Sequence, residues 1–167
     1  MAARPEKTSV TIEVPEHPAY LSVVRQAVAS IAHVMGFDDV EILQLQMAVD
    51  EACNNVIEHG AGACRSGDAG AARPGSIRLK FNASPEKLVM QVQDRCSRFS
   101  PLERELPDLE QYFRSPTNRG LGLVILRKFV DEVHHSYRSD LGNTLSLTKY
   151  LPKGKDEAEG RGRKAEG

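Results

Sequence analysis

The sequence predicts an α+β protein, a two-layer sandwich in which a mixed, mostly antiparallel sheet carries helices on one face. Three observations predict this fold. Short runs rich in Val, Ile and Leu, such as SVTIEVP at residues 9–15, alternate with longer runs of helical periodicity. Two pairs of strands are separated only by turns, which favours antiparallel hairpins. The helical runs interrupt these strands, and this order favours helices gathered on one face of the sheet.

The N-terminal part is predicted to hold one strand and two helices. Prolines stop the strand, and apolar residues then recur at helical spacing from Tyr20 to Met35, after which Gly36 ends the helix. The second helix has Asp38 or Asp39 as its N-cap candidate and stops at Gly60.

The rest of the chain is predicted to follow the order loop, two strands, loop, helix and closing hairpin. The corresponding residues are 61–75, 76–84 with 87–95, 96–120, 121–133, and 134–140 with 144–152. Residues 153–167 have almost no apolar side chain. We therefore expect one domain over residues 1–152, followed by a disordered charged tail over 153–167.

Length and composition fit one soluble domain, with 167 residues, 40% hydrophobic and 27% charged. The net charge of −1 gives no electrostatic footprint for nucleic acid or for an anionic membrane. No apolar run approaches the roughly 20 residues of a membrane span or resembles a signal peptide. Cys53, Cys64 and Cys96 form no CxxC or zinc pattern, so we expect reduced thiols in a cytoplasmic protein.

The second predicted helix carries a line of polar residues. Glu51, Asn55 and His59 are four residues apart and share one helix face. A carboxylate and an amide one turn apart can hold a hard cation and orient a water molecule. The ordinary alternative is a solvated helix face, which such a pair on its own most often forms.

Two further segments could meet this helix. Asp94 ends an apolar strand, where a buried carboxylate can accept a hydrogen bond from an amino group such as that of adenine. NRGLGL, residues 118–123, precedes a helix, and glycines there expose backbone N–H groups to an anion. Each has an ordinary alternative, because strand-end acids cap turns and paired glycines serve packing. Together, in this order and spacing, the segments indicate a site for a Mg-nucleotide.

These residues resemble a known family. VDEACNNVIEHG, VQDRCSRFSP and NRGLGLVILRKFVDEV, followed by GNTLSLTKYLP, are similar to the N-box and the two glycine boxes of the GHKL superfamily. Within it, the closest similarity is to the small bacterial anti-sigma factor serine/threonine kinases. The resemblance runs from Ser9 to Leu151 and implies the Bergerat, or GHKL, fold.

The resemblance implies a role for each matching residue. Glu51 is the expected general base or water-orienting group, Asn55 the Mg²⁺-binding amide, and Asp94 the acid that reads adenine. Leu102 to Asn118 would form a lid over the phosphates, and His59 is expected to be structural. Further nucleotide contacts fall on the two glycine boxes and the last strand: Cys96, Arg119, Gly120, Leu121, Gly122, Leu123 and Thr144.

The first glycine box departs from the family pattern. The family reads D-x-G-x-G or D-x-G-x-P before F-D-P, whereas here Cys96 replaces the first glycine, Arg98 stands at the second position and Ser100 replaces the acid. A side chain at position 96 can press against adenine or require a φ that non-glycine residues resist. The departure bears on nucleotide affinity and kinase activity, and much less on the fold.

The resemblance implies two alternative functions. The first is an anti-sigma factor that binds a sigma factor and, with Mg²⁺, transfers the γ-phosphate of ATP to a serine or threonine of an anti-anti-sigma (STAS-domain) protein. The second is a non-catalytic partner-switching module with weak or no nucleotide binding, which Cys96 and Arg98 favour. The family also implies a homodimer, and no direct contact with nucleic acid or a membrane is expected.

Overall fold

The computed structural model describes residues 7–63, 75–95 and 121–152. Their helices and strands follow the order that the sequence predicts, and a short 3₁₀ helix over Pro18–Tyr20 precedes the first α-helix. The elements are β1 (Thr8–Pro15), α1 (Leu21–Met35), α2 (Asp39–Ala63), β2 (Ser76–Ala83), β3 (Lys87–Asp94), α3 (Leu121–Phe129), β4 (Glu132–Arg138) and β5 (Gly142–Tyr150). The predicted loop at 96–120 and tail at 153–167 lie outside the described residues.

The strands of the described ranges form one five-stranded sheet in the order β1-β2-β3-β5-β4. The β2–β3 and β4–β5 pairs are the two predicted hairpins. After β3 the chain reaches the edge strand β4 by way of α3, and β5 then returns between β4 and β3. The prediction of a mostly antiparallel sheet is confirmed, and each pair within these ranges is antiparallel.

The helices bury their apolar faces against the sheet in one core. α2 packs against α1, α3 and β3, so it is the central contact of the helical layer. No helix within the described ranges combines the length and apolar character that crossing a bilayer requires. Fully buried members of the core come from both layers: Val24, Val28, Leu45, Val49, Phe81, Met90, Leu126 and Leu147.

The ends of the first two helices follow local rules with one exception. Asp38 caps α2, since its Oδ1 accepts a hydrogen bond from the Glu41 N–H at 2.8 Å and its own N–H donates to Glu41 Oε2 at 3.0 Å. Gly36, with φ +89°, ends α1 as predicted. α2 continues to Ala63, past the predicted stop at Gly60. A glycine within a helix costs about 1 kcal/mol and does not by itself end the helix.

The third helix is shorter than its sequence pattern predicts. α3 ends at Phe129, whereas the amphipathic pattern extends to Val133. The N–H of Asp131 donates to the carbonyl of Thr148 at 2.8 Å, and Val133 pairs with Leu147 in the sheet. Pairing with β5 therefore overrides the helical periodicity. Pairing with Arg138 starts β5 at Gly142, two residues before the predicted start of this strand at residue 144.

Candidate functional site

The central helix α2 presents two predicted site residues beside its buried face. Ala48, Val49 and Ala52 are buried against the core, while Glu51 and Asn55 are half-buried on the flank of the helix. A solvated face would leave these two side chains exposed. Their partial burial instead places them at the margin of the packed interior, where polar groups remain accessible.

Glu51 meets the start of α3. A Cβ atom built on Gly122 would overlap the Glu51 carboxylate, so a larger residue here would displace that side chain. Gly122 is the second residue of α3, next to the first backbone N–H groups of that helix. The predicted acid and the predicted second glycine box are therefore in direct contact. The start of the helix also offers N–H groups that lack partners within the helix.

The environment of Glu51 raises the proton affinity of its carboxyl group. Burial raises the pKa of this carboxyl above its ordinary value of 4.5, and the negative charge of Glu58, two turns further along α2, raises it further. A carboxylate with a raised pKa accepts a proton more readily than an ordinary surface glutamate does. This property suits a general base.

Asp94 lies at the end of β3 on the inner face of the sheet. It is 8% exposed, and its Oδ1 accepts a hydrogen bond from Asn143 Nδ2 at 2.9 Å. Asn143 is directly opposite Asp94 in the β3–β5 pairing and is also buried. On the next strand, His135 Nε2 is 3.3 Å from Asn143 Oδ1. A polar chain therefore runs across three strands at this end of the sheet.

Gly142 allows β5 to approach Asp94 closely. It has φ +82°, and a Cβ atom built on it would overlap the backbone carbonyl oxygen of Asp94. Both the left-handed backbone and the close approach favour glycine at this position. The turn before β5 thus brings Asn143 into register with Asp94.

A further carboxyl, that of Glu16, lies near Asp94. Glu16 directly follows β1, and its N–H donates to the carbonyl of Gly75 at 2.8 Å. Its carboxyl group occupies the space that a side chain at position 75 would need. Burial raises the pKa of Glu16, and the charge of Asp94 raises it further. Glu16 Oε1 is buried and has no hydrogen-bond partner among the described residues.

The predicted site residues are only partly brought together in the described ranges. Glu51 contacts Gly122, and α2, which also carries Asn55, packs against the strand that ends at Asp94. Thr144 pairs with Gln93, so strand alternation directs it to the outer face, away from Asp94. Cys96, Arg119 and Gly120 lie outside the described residues, as do the side chains of His59, Leu121 and Leu123.

Sequence reasoning missed three polar residues at this end of the sheet. Asn143 shares its face with Leu145 and Leu147, so the alternation of β5 could have identified it. The same two-residue period puts His135 on the face of Val133 in β4. Glu16 has a weaker signal, because it follows Pro15 at the end of β1 and only the tertiary fold brings it near Asp94.

No group of three or more His, Cys, Asp or Glu residues suited to a metal ion occurs in the described part of the chain. A separate shallow cavity of about 320 Å³ lies at the opposite end of the sheet, lined by residues that include Lys7, Ser84 and Lys87. It contains none of the predicted site residues.

Known proteins are similar to this chain over most of its length. Residues 14–149 match the histidine kinase-like ATPase domain. The chain is 29% identical over 147 residues to the serine-protein kinase RsbW of Bacillus subtilis (strain 168), and the alignment covers 85% of each chain. It is 26% identical over 155 residues to a serine-protein kinase RsbW of Bacillus cereus, with 90% of each chain covered.

A solved structure shares the fold. The crystal structure of the RsbU and RsbW domains of Rv1364c from Mycobacterium tuberculosis matches with a TM-score of 0.56 at 18% identity. The match covers 87% of this chain and 33% of the other, so this chain spans about a third of that protein's length. The family match includes α2, the strand that ends at Asp94 and the start of α3. The chain belongs to the histidine kinase-like ATPase domain family.

Proposed function

We propose that the chain is an ATP-dependent protein serine/threonine kinase that acts as an anti-sigma factor in the cytoplasm. The observation that carries the proposal is the contact between the Glu51 carboxylate and Gly122, which joins the N-box acid to the start of α3. Similarity to serine-protein kinases over most of the chain supports the same activity. Residues 1–152 would form the kinase domain, and residues 153–167 a charged tail.

Glu51 is the proposed general base. In the reaction, the γ-phosphoryl group of ATP moves to a serine or threonine hydroxyl, ADP leaves, and Glu51 accepts the hydroxyl proton. Burial raises the pKa of Glu51, which brings its proton affinity closer to that of a useful base near neutral pH. The contact with Gly122 holds the carboxylate beside the proposed phosphate site. Positioning and charge neutralisation dominate phosphoryl transfer, so this placement matters more than strong basicity.

The start of α3 and Asn55 form the proposed phosphate and metal site. The first backbone N–H groups of α3 are not bonded within the helix, and the helix dipole favours negative charge there. The Asn55 amide oxygen, one turn beyond Glu51, supplies a neutral oxygen ligand of the kind that Mg²⁺ accepts. Bound Mg²⁺ would neutralise charge on the phosphates during transfer. The backbone from Arg119 to Leu123 is proposed to make the phosphate contacts.

The polar end of the sheet is the proposed adenine site. Asp94 is buried and anchored by Asn143, so it presents a fixed acceptor for the adenine amino group. Cys96, two residues further along the chain, is proposed to lie near the base. The place of Thr144 on the outer face favours Asn143 as the β5 residue closest to the nucleotide.

The proposed protein partners are those of the anti-sigma kinases. A sigma factor would be the regulated protein, and a STAS-domain anti-anti-sigma protein would supply the phosphorylated serine or threonine. A homodimer is the proposed assembly. The name of the relatives, serine-protein kinase, supports a protein serine as the acceptor.

Transfer from radiolabelled ATP to the cognate anti-anti-sigma protein tests the proposal. We expect Mg-dependent labelling by the wild type and a fall of at least about 100-fold in rate for Glu51→Gln, the typical size of a general-base contribution. Glu86→Gln removes an exposed acid from the β2–β3 turn at the opposite end of the sheet and should transfer normally. Asn55→Ala should weaken Mg-ATP binding more than it lowers the free energy of unfolding.

The alternative is a partner-binding module without catalysis, favoured by Cys96 in place of the family glycine. Titration calorimetry with Mg-ADP separates the two functions. Absent transfer, together with undetectable Mg-ADP binding by the wild type and by Cys96→Gly, would replace the kinase proposal with this alternative. Binding that tightens in Cys96→Gly would show that the cysteine narrows the nucleotide site.

A further inference from the structure

The hydrogen bond between Asn143 and Asp94 fixes the orientation of the Asn143 amide. A carboxylate oxygen has no proton to donate, so the group that faces Asp94 Oδ1 at 2.9 Å must be the Asn143 NH₂. The amide oxygen of Asn143 therefore points the other way, toward β4. Both side chains are buried, where an amide turned the wrong way would place two acceptors against each other.

The same orientation fixes the tautomer of His135. The ring atom Nε2 of His135 lies 3.3 Å from the Asn143 amide oxygen, and this oxygen can only accept. Nε2 must then carry a proton and donate it. His135 is half-buried on the inner face of β4, two residues beyond Val133. The donor–acceptor direction is consistent along the whole chain, from His135 to Asn143 to Asp94.

We infer that His135, acting through Asn143, is a positioning residue that sets the plane of the Asp94 carboxylate for the amino group of an adenine nucleotide. The inference rests on the proposed nucleotide-binding function and adds a selectivity element to it. An aspartate side chain at a strand end can otherwise rotate about two bonds, and a correct acceptor direction would be held only part of the time. Holding the carboxylate in this orientation before the nucleotide binds lowers the conformational entropy that binding would otherwise cost.

Nucleobase discrimination measures this positioning directly. Adenine offers an amino donor where hypoxanthine offers a carbonyl oxygen, so hypoxanthine would face the Asp94 carboxylate with another acceptor. We expect calorimetry to show that the wild type binds Mg-ADP at least about tenfold more tightly than Mg-IDP. If the orientation of the Asp94 carboxylate is loosened, the protein should bind ADP more weakly while its affinity for IDP hardly changes. The ratio of the IDP dissociation constant to the ADP dissociation constant should therefore fall.

Three variants separate positioning from folding. Asn143→Leu retains the side-chain shape and removes the donor, and the ratio should fall about fivefold, the effect of one hydrogen bond. His135→Phe keeps a ring and removes the N–H, and the ratio should fall about threefold. His134→Phe is the matched control, because His134 is exposed on the outer face of β4 beside Ser146, and the ratio should not change. In the Asn143→Leu background, His135→Phe should cause no further fall.

The outcomes distinguish this inference from the proposed function. If the wild type binds neither Mg-ADP nor Mg-IDP, the proposed function and the inference both fail. If the wild type prefers Mg-ADP and His135→Phe keeps the full ratio, or weakens both nucleotides equally, only the inference fails. A fall in the ratio for His135→Phe that disappears in the Asn143→Leu background supports it, and thermal denaturation of every variant confirms that each is folded at the assay temperature.

Discussion

The inner face of β3 and β5 changes from apolar to polar along its length while the backbone pairing stays regular. Met90 faces Leu147 and Val92 faces Leu145, but the next pair along is Asp94 with Asn143. Burial does not distinguish the two regions, since Leu145 is 6% exposed, Asn143 5% and Asp94 8%. The two kinds of pair differ in the interactions that stabilise them once they are buried. The apolar pairs gain from leaving water, whereas the polar pair must find hydrogen bonds that offset its desolvation.

The change occurs at the same end of the sheet in other strands as well. On the inner face, β4 passes from Val133 to His135, and Val14 near the end of β1 is followed two residues later by Glu16. We name this region, formed by Glu16, Asp94, His135 and Asn143, the polar end. Because the Asp94–Asn143 pair is as buried as the apolar pairs but differs in chemistry, we infer that the apolar region holds the fold, while the polar end orients groups at the site.

The apolar region should give the largest loss of stability. Leu147 is fully buried opposite Met90, so Leu147→Ala leaves a cavity and should lower the free energy of unfolding by about 2–5 kcal/mol. Urea denaturation measures this change. Ser146→Ala, one residue earlier on the outer face, should stay within about 0.5 kcal/mol of the wild type. Equal losses for the two variants would contradict the division of the sheet into a packed inner face and a tolerant outer face.

Two glycines with similar backbone angles should differ in how much stability the protein loses when each is replaced by alanine. Gly36 has φ +89° with nothing within 4 Å of an added Cβ, whereas Gly142 has φ +82° and its added Cβ would overlap the carbonyl of Asp94. Gly36→Ala should cost about 1–2 kcal/mol from the backbone alone. Gly142→Ala should cost about 1 kcal/mol more and should also weaken Mg-ADP binding, because the end of β3 must shift.

Thermal and urea denaturation of both glycine variants, with calorimetric titration of Mg-ADP, checks this prediction. Gly36→Ala is the control for the cost of positive φ, and its nucleotide affinity should equal that of the wild type. Equal losses of stability, or unchanged Mg-ADP affinity in Gly142→Ala, would mean that the turn before β5 does not position Asp94.

The sequence predicted the element order because each element has a strong local cause. The capping box at Asp38 and the left-handed Gly36 are local signals, and both are present in the structure. The end of α3 could not be predicted in this way, since residues 130–133 fit a helix and only their pairing with β5 draws them out of it. Hydrophobic periodicity cannot predict where an element ends when that end is set by pairing with a segment distant in sequence.

The residues of the candidate site likewise divide into those that local sequence motifs identify and those that only the tertiary fold brings together. Motif spacing identified Glu51 and Gly122, and the structure places them in contact. Motif comparison did not identify Asn143, because it gives no strand register, and the residue that it named in this strand, Thr144, lies on the outer face. Glu16 is a tertiary neighbour from the far edge strand, brought near Asp94 only when the sheet assembles.

The smallest expected effect concerns the charge of Glu16 at the polar end. Burial and the charge of Asp94 raise the pKa of Glu16 above 4.5, so its carboxyl binds a proton more tightly in the folded protein than in the unfolded chain. The stability that this group contributes is fully present below pH 4.5, its ordinary pKa, and is lost as the pH rises through the higher folded pKa. At pH 7 the charged form therefore opposes folding. Glu16→Gln removes that charge and should raise the melting temperature by about 1 °C, as expected for a partly exposed group.

Glu13→Gln, in β1 three residues before Glu16, is the matched control with the opposite sign. The hydrogen bond from Ser76, followed by the interactions with Arg78, lowers the pKa of Glu13, so its charge supports folding above pH 4.5, and that support is lost as the pH falls through its lower folded pKa. Its neutralisation should therefore leave the melting temperature at pH 7 unchanged or slightly lower.

Calorimetric scans of both variants and the wild type at pH 7 and pH 4 measure the differences. The gain from Glu16→Gln should shrink toward zero at pH 4, and a gain of equal size at both pH values would show that packing, and not the buried charge beside Asp94, limits stability at the polar end.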